Sequence, residues 1–123
     1  MRAIKVLIAD DQRLFAEALA AILATDERIE IVGRAADGRE AIALARERRP
    51  DVVLMDLSMP VVDGFDATRE LRRDLPDTRV LVLTGSASAD DIARARAAGA
   101  AGYITKDQIA EDLVRAILVA AGS

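Results

Sequence analysis

Residues 52–64 read VVLMDLSMPVVDG, and the first five of them decide the fold. Val52, Val53, Leu54 and Met55 are apolar at odd and even positions alike, whereas a strand with one wet face alternates. A strand apolar on both faces needs cover above and below, which is the situation of a central strand in a parallel sheet flanked by helices. It runs directly into Asp56 and then into LSMPVVDG, where Pro60 and Gly64 mark the longest irregular stretch of the chain.

Outward from there, three more apolar runs stop at polar residues: VLIA at Asp10-Asp11, VLVL at Thr84 and GYIT at Lys106. If all four runs are parallel strands of one sheet, their stops share the carboxyl edge, where open α/β sheets bind ligands. Stretches at helical spacing separate the runs, so the chain reads as five repeated βα units. Strand one is Ile4 to Ala9, and Leu14, Phe15, Ala18, Leu19, Ile22 and Leu23 then recur at intervals of three and four, predicting a helix with that face in the core. Ile29 to Arg34 alternates and reads as an edge strand, followed by a helix from Gly38 to Arg49 that Pro50 closes. Asp63 is placed to cap a third helix running to about Leu75, Arg79 to Leu83 is the fourth strand, and Ser88 with Asp91 makes a capping box for the fourth helix. Gly99 and Gly102 flank the turn into Tyr103 to Thr105, the last strand. Asp107 is expected to cap the final helix, whose Ile109, Leu113, Val114, Ile117 and Leu118 share a face.

A length of 123 residues suits one domain over 1–123, with no repeat, linker or low-complexity segment. Seventeen Lys+Arg against 21 Asp+Glu leave a net charge of −4, so no basic field argues for nucleic acid binding by this segment itself. The absence of Cys removes disulfides and thiolate ligands, and the absence of His removes imidazole chemistry and any phosphohistidine from this chain. A phosphohistidine donor would therefore be another molecule. The N-terminal apolar run, about six residues, is too short for a signal or a membrane span, which makes a cytoplasmic location without membrane contact the expectation.

Asp10, Asp11 and Asp56 would stand at the ends of neighbouring strands, about 5 Å apart across the ladder. Carboxylates at 4 Å repel by roughly 4 kcal/mol per pair at an effective dielectric of 20, so a cation belongs among them. Magnesium suits an all-oxygen site that supplies one or two carboxylates and leaves room for a phosphate oxygen, whereas zinc would want His or Cys. A carboxylate beside magnesium can attack phosphorus and form an acyl phosphate, and Asp56, alone at its strand end, is the candidate nucleophile. Asp11 would then bind the metal directly, Asp10 through water or by holding a partner, and Thr84 and Lys106 would bind phosphoryl oxygens. Each residue alone also reads as a turn former, a helix cap or a solvated strand end; all of them at one edge are not what turn chemistry produces.

From VLIADDQ through DLSMPVVDG and LTGSA to GYITKD, the chain resembles the receiver domain of bacterial two-component response regulators over essentially its whole length. The resemblance implies a flavodoxin-like fold, with the sheet in the order 2-1-3-4-5 and helices on both faces. It implies phosphorylation of Asp56 by a partner histidine kinase, with Mg2+ held by Asp11, Asp56 and the main-chain carbonyl of Ser58 and assisted by Asp10. Such a protein phosphorylates and dephosphorylates itself without being a conventional enzyme. Thr84 and Lys106 would grip the phosphoryl group. Thr84 would be drawn toward the new oxygens and Tyr103 would turn inward behind it, altering a readout surface on the fourth helix, fifth strand and fifth helix. Gly85 would leave the pocket open, with Ser58 and Ser86 beside the path of the hydrolytic water. The fourth helix is alanine-rich and should be lightly anchored, with Arg94 and Arg96 solvated. Asp107 stands where many receivers have proline, and GYITKD resembles the NarL/LuxR class. Homodimerisation on phosphorylation and control of transcription through a DNA-binding domain outside this chain are the corresponding expectations, with a stand-alone receiver as the alternative.

Two other functions fit the chemistry less well. A haloacid dehalogenase-type phosphatase needs a second aspartate two residues after its nucleophile, but Gln12, Arg13 and Ser58 occupy those places here. A flavin or nucleotide binder of the same sheet order wants a glycine- and hydroxyl-rich phosphate loop after strand one, and ADDQRLF offers acid instead. A degenerate receiver that works without phosphorylation would not need the complete acidic set and Lys106.

Overall fold

Strand β3 (Val52–Asp56) is buried at all five positions, as a strand covered on both sides must be. The computed structural model describes residues 2–85 and 88–122. Around β3 the chain alternates β1 (Ile4–Ala9), α1 (Arg13–Leu23), β2 (Ile29–Ala35), α2 (Gly38–Arg48), α3 (Gly64–Asp74), β4 (Arg79–Thr84), α4 (Ala89–Ala98), β5 (Gly102–Thr105) and α5 (Ile109–Ala121). All strand pairs are parallel, in the order β2-β1-β3-β4-β5. The 2-1-3-4-5 sheet is the expected one.

Alternate residues of each strand feed two separate cores. Leu7, Val53, Met55, Val80 and Val82 point to the face covered by α2, α3 and α4, where Ile42, Phe65 and Leu71 meet them. Val6, Ile8, Leu54, Leu81 and Leu83 point to the other face, under Leu19 and Leu23 of α1 and Leu113 and Ile117 of α5. The period of two along the strands is thus what makes a three-layer molecule.

Two local expectations need correction. Leu14 is 80% exposed and Ala18 is exposed; Ala16 completes the buried face of α1 with Leu19 and Leu23. The buried arc is centred near Leu19 and Leu23, and Leu14 and Ala18 lie on its trailing side at 100° per residue, beyond the reach of the sheet. Asp107 does not cap α5, because a single 3-10 turn (Lys106–Gln108) intervenes and Gln108 occupies the cap position, its side chain accepting from the Thr105 hydroxyl at 2.7 Å and making no capping bond to the helix. Asp63 and Ser88 do cap as expected, accepting from the backbone N–H groups of Asp66 at 2.9 Å and Asp91 at 3.1 Å.

Helix α4 is held lightly: only Ala95 and Ala98 are buried. Exposed Arg94 is not simply solvated, however, since its guanidinium lies 3.9 Å over the Phe65 ring and so grips α3.

The loop after β3 returns tightly under the strand it leaves. A methyl on Gly64 would lie 2.4 Å from the Asp56 carbonyl oxygen, and one on Gly38 would lie 1.9 Å from that of Val62. Between them, Pro60 O accepts from Val62 N at 2.9 Å across Val61, whose φ is 70°. A β-branched residue is strained in that region, and this side chain is 73% exposed, so packing offers no compensation. Val61→Asn is expected to raise the unfolding free energy by about 1 kcal/mol, since asparagine tolerates the left-handed region. A urea midpoint that stays or falls would remove the strain from consideration.

Candidate functional site

Register decides which polar side chains meet. Ala9 pairs with Met55, so the next residues, Asp10 and Asp56, come side by side at the carboxyl edge; Asp56 pairs with Leu83 and Thr84 with Thr105, which brings Thr84 and Lys106 to the same rim. Asp10, Asp11 and Asp56 each offer a carboxylate oxygen within 4.8 Å of the others. The predicted acidic cluster is therefore formed.

Its members are unequally placed. Asp10 and Asp56 are buried, at 3% exposure each, while Asp11 faces solvent. Asp56 Oδ1 accepts from the Ser58 N–H at 3.3 Å. Asp10 Oδ1 accepts from the Gln12 N–H at 2.8 Å, but its buried Oδ2 has no hydrogen-bond partner. The ammonium of Lys106 stands 3.7 Å from Asp56 Oδ1 and 3.9 Å from Asp10 Oδ2. Burial pushes the Asp10 carboxyl up to about 6, with the charges of Asp56 and Asp11 adding to the effect and the Gln12 N–H and Lys106 opposing it.

Three carboxylates against one lysine leave two uncompensated negative charges around a pocket with an unpartnered buried oxygen. The buried pair alone repels by roughly 3 kcal/mol at an effective dielectric of 20. A divalent, oxygen-seeking cation fits that donor set in charge and chemistry.

Thr84 is buried at the end of β4. A methyl on Gly85 would meet nothing within 4 Å, so the entrance beside it is open. Ser58 is exposed on the loop, and Ser86 lies outside the described residues. Tyr103 does not touch the acidic pocket; it projects from β5 with 39% exposure, between a cavity of about 260 Å³ toward α5 and one of about 250 Å³ toward α4.

One contact in the site has no signal in the sequence. The Lys106 Nζ lies 4.6 Å over the centroid of the Phe15 ring, whereas spacing alone marks Phe15 only as an apolar member of α1.

A family model, the response regulator receiver domain, matches residues 6–118. The chain belongs to that family. This receiver is 40% identical over 115 residues to the transcriptional regulatory protein LnrK of Bacillus subtilis, covering 94% of the present chain and 52% of that protein. It is 42% identical over 114 residues to the response regulator protein VraR of Staphylococcus aureus, covering 93% and 54% respectively. The chain thus spans about half the length of the curated relatives it matches. Among solved structures, the signal receiver domain of a response regulator, NarL, from Mycobacterium tuberculosis superposes with a TM-score of 0.96 at 32% identity, over 100% of this chain and 99% of that one. A LuxR-family two-component response regulator from Aurantimonas superposes with a TM-score of 0.92 at 32% identity, over 98% and 86%. The likeness to the NarL/LuxR class read from GYITKD agrees with these neighbours. No helix among the described residues is long and apolar enough to cross a membrane.

Proposed function

We propose that this receiver takes a phosphoryl group onto Asp56 from the phosphohistidine of a partner kinase, in the presence of Mg2+, and passes the change to a DNA-binding output domain. A carboxylate oxygen of Asp56 attacks phosphorus, the phosphorus–nitrogen bond breaks, and the imidazole nitrogen leaves with the electron pair. The observation that carries this reading is the setting of Asp56: a buried carboxylate at the end of the central strand, beside two further carboxylates and 3.7 Å from a lysine ammonium.

Asp11 and Asp56 would hold the metal, with the Ser58 carbonyl as a third ligand and Asp10 assisting through water. Bound there, magnesium would neutralise the acids and fix a phosphoryl oxygen. Lys106 and the Thr84 hydroxyl bind the other oxygens, replacing water that would otherwise stabilise them. Thr84 then moves toward the phosphoryl group, and Tyr103, 39% exposed on β5, turns inward behind it. The face formed by α4, β5 and α5 is the proposed readout, and its change would promote pairing of two copies. The name of LnrK, a transcriptional regulatory protein, supports transcriptional output, and a cytoplasmic location goes with the same reading.

Incubation with a small acyl phosphate and Mg2+, followed by intact mass measurement, is expected to add one phosphoryl group, and chelation is expected to prevent it. An unlabelled protein, or labelling that persists in chelator, would refute the proposal. Asp11→Ala should weaken Mg2+ binding about tenfold, about 1.4 kcal/mol, in a titration.

A further inference from the structure

Lys106 faces two demands that conflict. Its ammonium must stay over the acidic pocket to receive phosphoryl oxygens, yet it must not close on Asp56 and quench the nucleophile. A flexible lysine beside two buried carboxylates ordinarily settles into charge-assisted hydrogen bonds of about 2.7–2.9 Å. Here Nζ stays 3.7 Å from Asp56 Oδ1 and 3.9 Å from Asp10 Oδ2, both beyond hydrogen-bond length. What it does meet is an aromatic face: the centroid of the Phe15 ring, 4.6 Å away and within the range of a cation–π contact.

We infer that Phe15 is a positioning residue, whose ring face holds the Lys106 ammonium poised between the carboxylates and the place of the incoming phosphoryl group. The ring can do this because it is itself fixed. Phe15 lies near the start of α1, is half-buried, and packs against the apolar core beneath α1 and α5. Helix α1 begins directly after the acidic pair, so one short segment sets both the carboxylates and the platform for their counter-charge. Attraction by the ring is weaker than a salt bridge and falls off gradually, so the ammonium is retained without being committed. Its N–H donors then remain available to phosphoryl oxygens.

The inference rests on the proposed phosphorylation of Asp56, and its test separates the two. Labelling rates with an acyl phosphate and Mg2+ are compared for wild type, Phe15→Leu, Phe15→Met and Phe15→Tyr, with folding checked by thermal melting. Phe15→Leu and Phe15→Met, which keep an apolar side chain but lose the π face, should label about five- to tenfold more slowly. Phe15→Tyr should stay within about twofold of wild type. In a Lys106→Met background, Phe15→Leu should cause no further loss, because the residue acts only through the lysine. In the metal-free protein, proton NMR should find the Lys106 ε-methylene shifted upfield by the ring current in wild type and Phe15→Tyr, and unshifted in Phe15→Leu. Equal rates in all variants, a loss that persists on the Lys106→Met background, or an ε-methylene unaffected by the ring would overturn the inference while wild-type labelling stands. A wild type that is never labelled, with the ring-current shift intact, would overturn the phosphorylation reading and leave the placement of Lys106 in force.

Discussion

Asp56→Asn is expected to fold normally and to gain no phosphoryl group from an acyl phosphate and Mg2+ under conditions that label wild type to completion. The oxygen of an amide belongs to a neutral group, and it lacks the charge that makes a carboxylate attack phosphorus. A loss of at least a thousandfold, roughly 4 kcal/mol of barrier, follows. The change is structurally mild. Asparagine Oδ1 can still accept from the Ser58 N–H, which Asp56 does at 3.3 Å, and loss of the charge relieves repulsion with Asp10. A dead variant that melts at or above the wild-type temperature therefore reports chemistry and not collapse. The neighbouring acids are poor substitutes: Asp10 is buried with one oxygen bonded to the Gln12 N–H, and Asp11 faces solvent. Labelling of Asp56→Asn at the wild-type rate would show that the nucleophile is misassigned, and peptide mapping of the label would say where it lies.

The central place of β3 and the composition of the rim were legible because both depend on pattern, whereas the order of the sheet was implied only by the resemblance to receiver domains. Doubly apolar β3 demanded two covering layers, and each strand ended on a residue whose type was visible in the chain, so the carboxyl edge could be assembled without coordinates. Helix faces were less legible. The run of apolar residues from Leu14 to Leu23 is wider than the surface available to cover it, and spacing alone does not say which flank is left out; it is the flank of Leu14 and Ala18. Asp107 failed as a cap for a related reason, because a capping residue is recognised only when the helix start is known, and the 3-10 turn at Lys106–Gln108 delays that start. The contacts of Phe15 with Lys106 and of Arg94 with Phe65 were invisible, since they join residues far apart in sequence through side-chain reach that no periodicity encodes.

Removing the charge of Asp10, beside Asp56, should have the opposite sign from most substitutions of buried polar residues. In the metal-free protein at pH 7.5, Asp10→Asn is expected to be more stable than wild type by on the order of 2–3 kcal/mol. Burial raises the Asp10 carboxyl from 3.8 to about 6 in the folded state, so between those values the native protein binds a proton that the unfolded chain has released. Stability contributed by this group is therefore full below about pH 4 and declines as pH rises through about 6, and the deficit persists above that. A rise of that size corresponds to about 3 kcal/mol, and with Asp10 at 3% exposure solvent screening takes little away. The direction is the reverse of that for carboxyls held low by arginine partners, such as half-buried Asp26 beside Arg28, whose contribution is lost on acidification. Subtracting the variant's pH profile from that of wild type isolates the Asp10 component. Asparagine also suits the geometry, since its Oδ1 can still accept from the Gln12 N–H, as Asp10 does at 2.8 Å. Mg2+ should narrow or invert the difference, because the cation compensates three carboxylates in wild type and only two in the variant. Urea unfolding from pH 4 to 8, with and without Mg2+, measures all of this. Parallel pH profiles for the two proteins would mean that Asp10 is already ionised in the folded state at acidic pH and that its neighbours tolerate the charge.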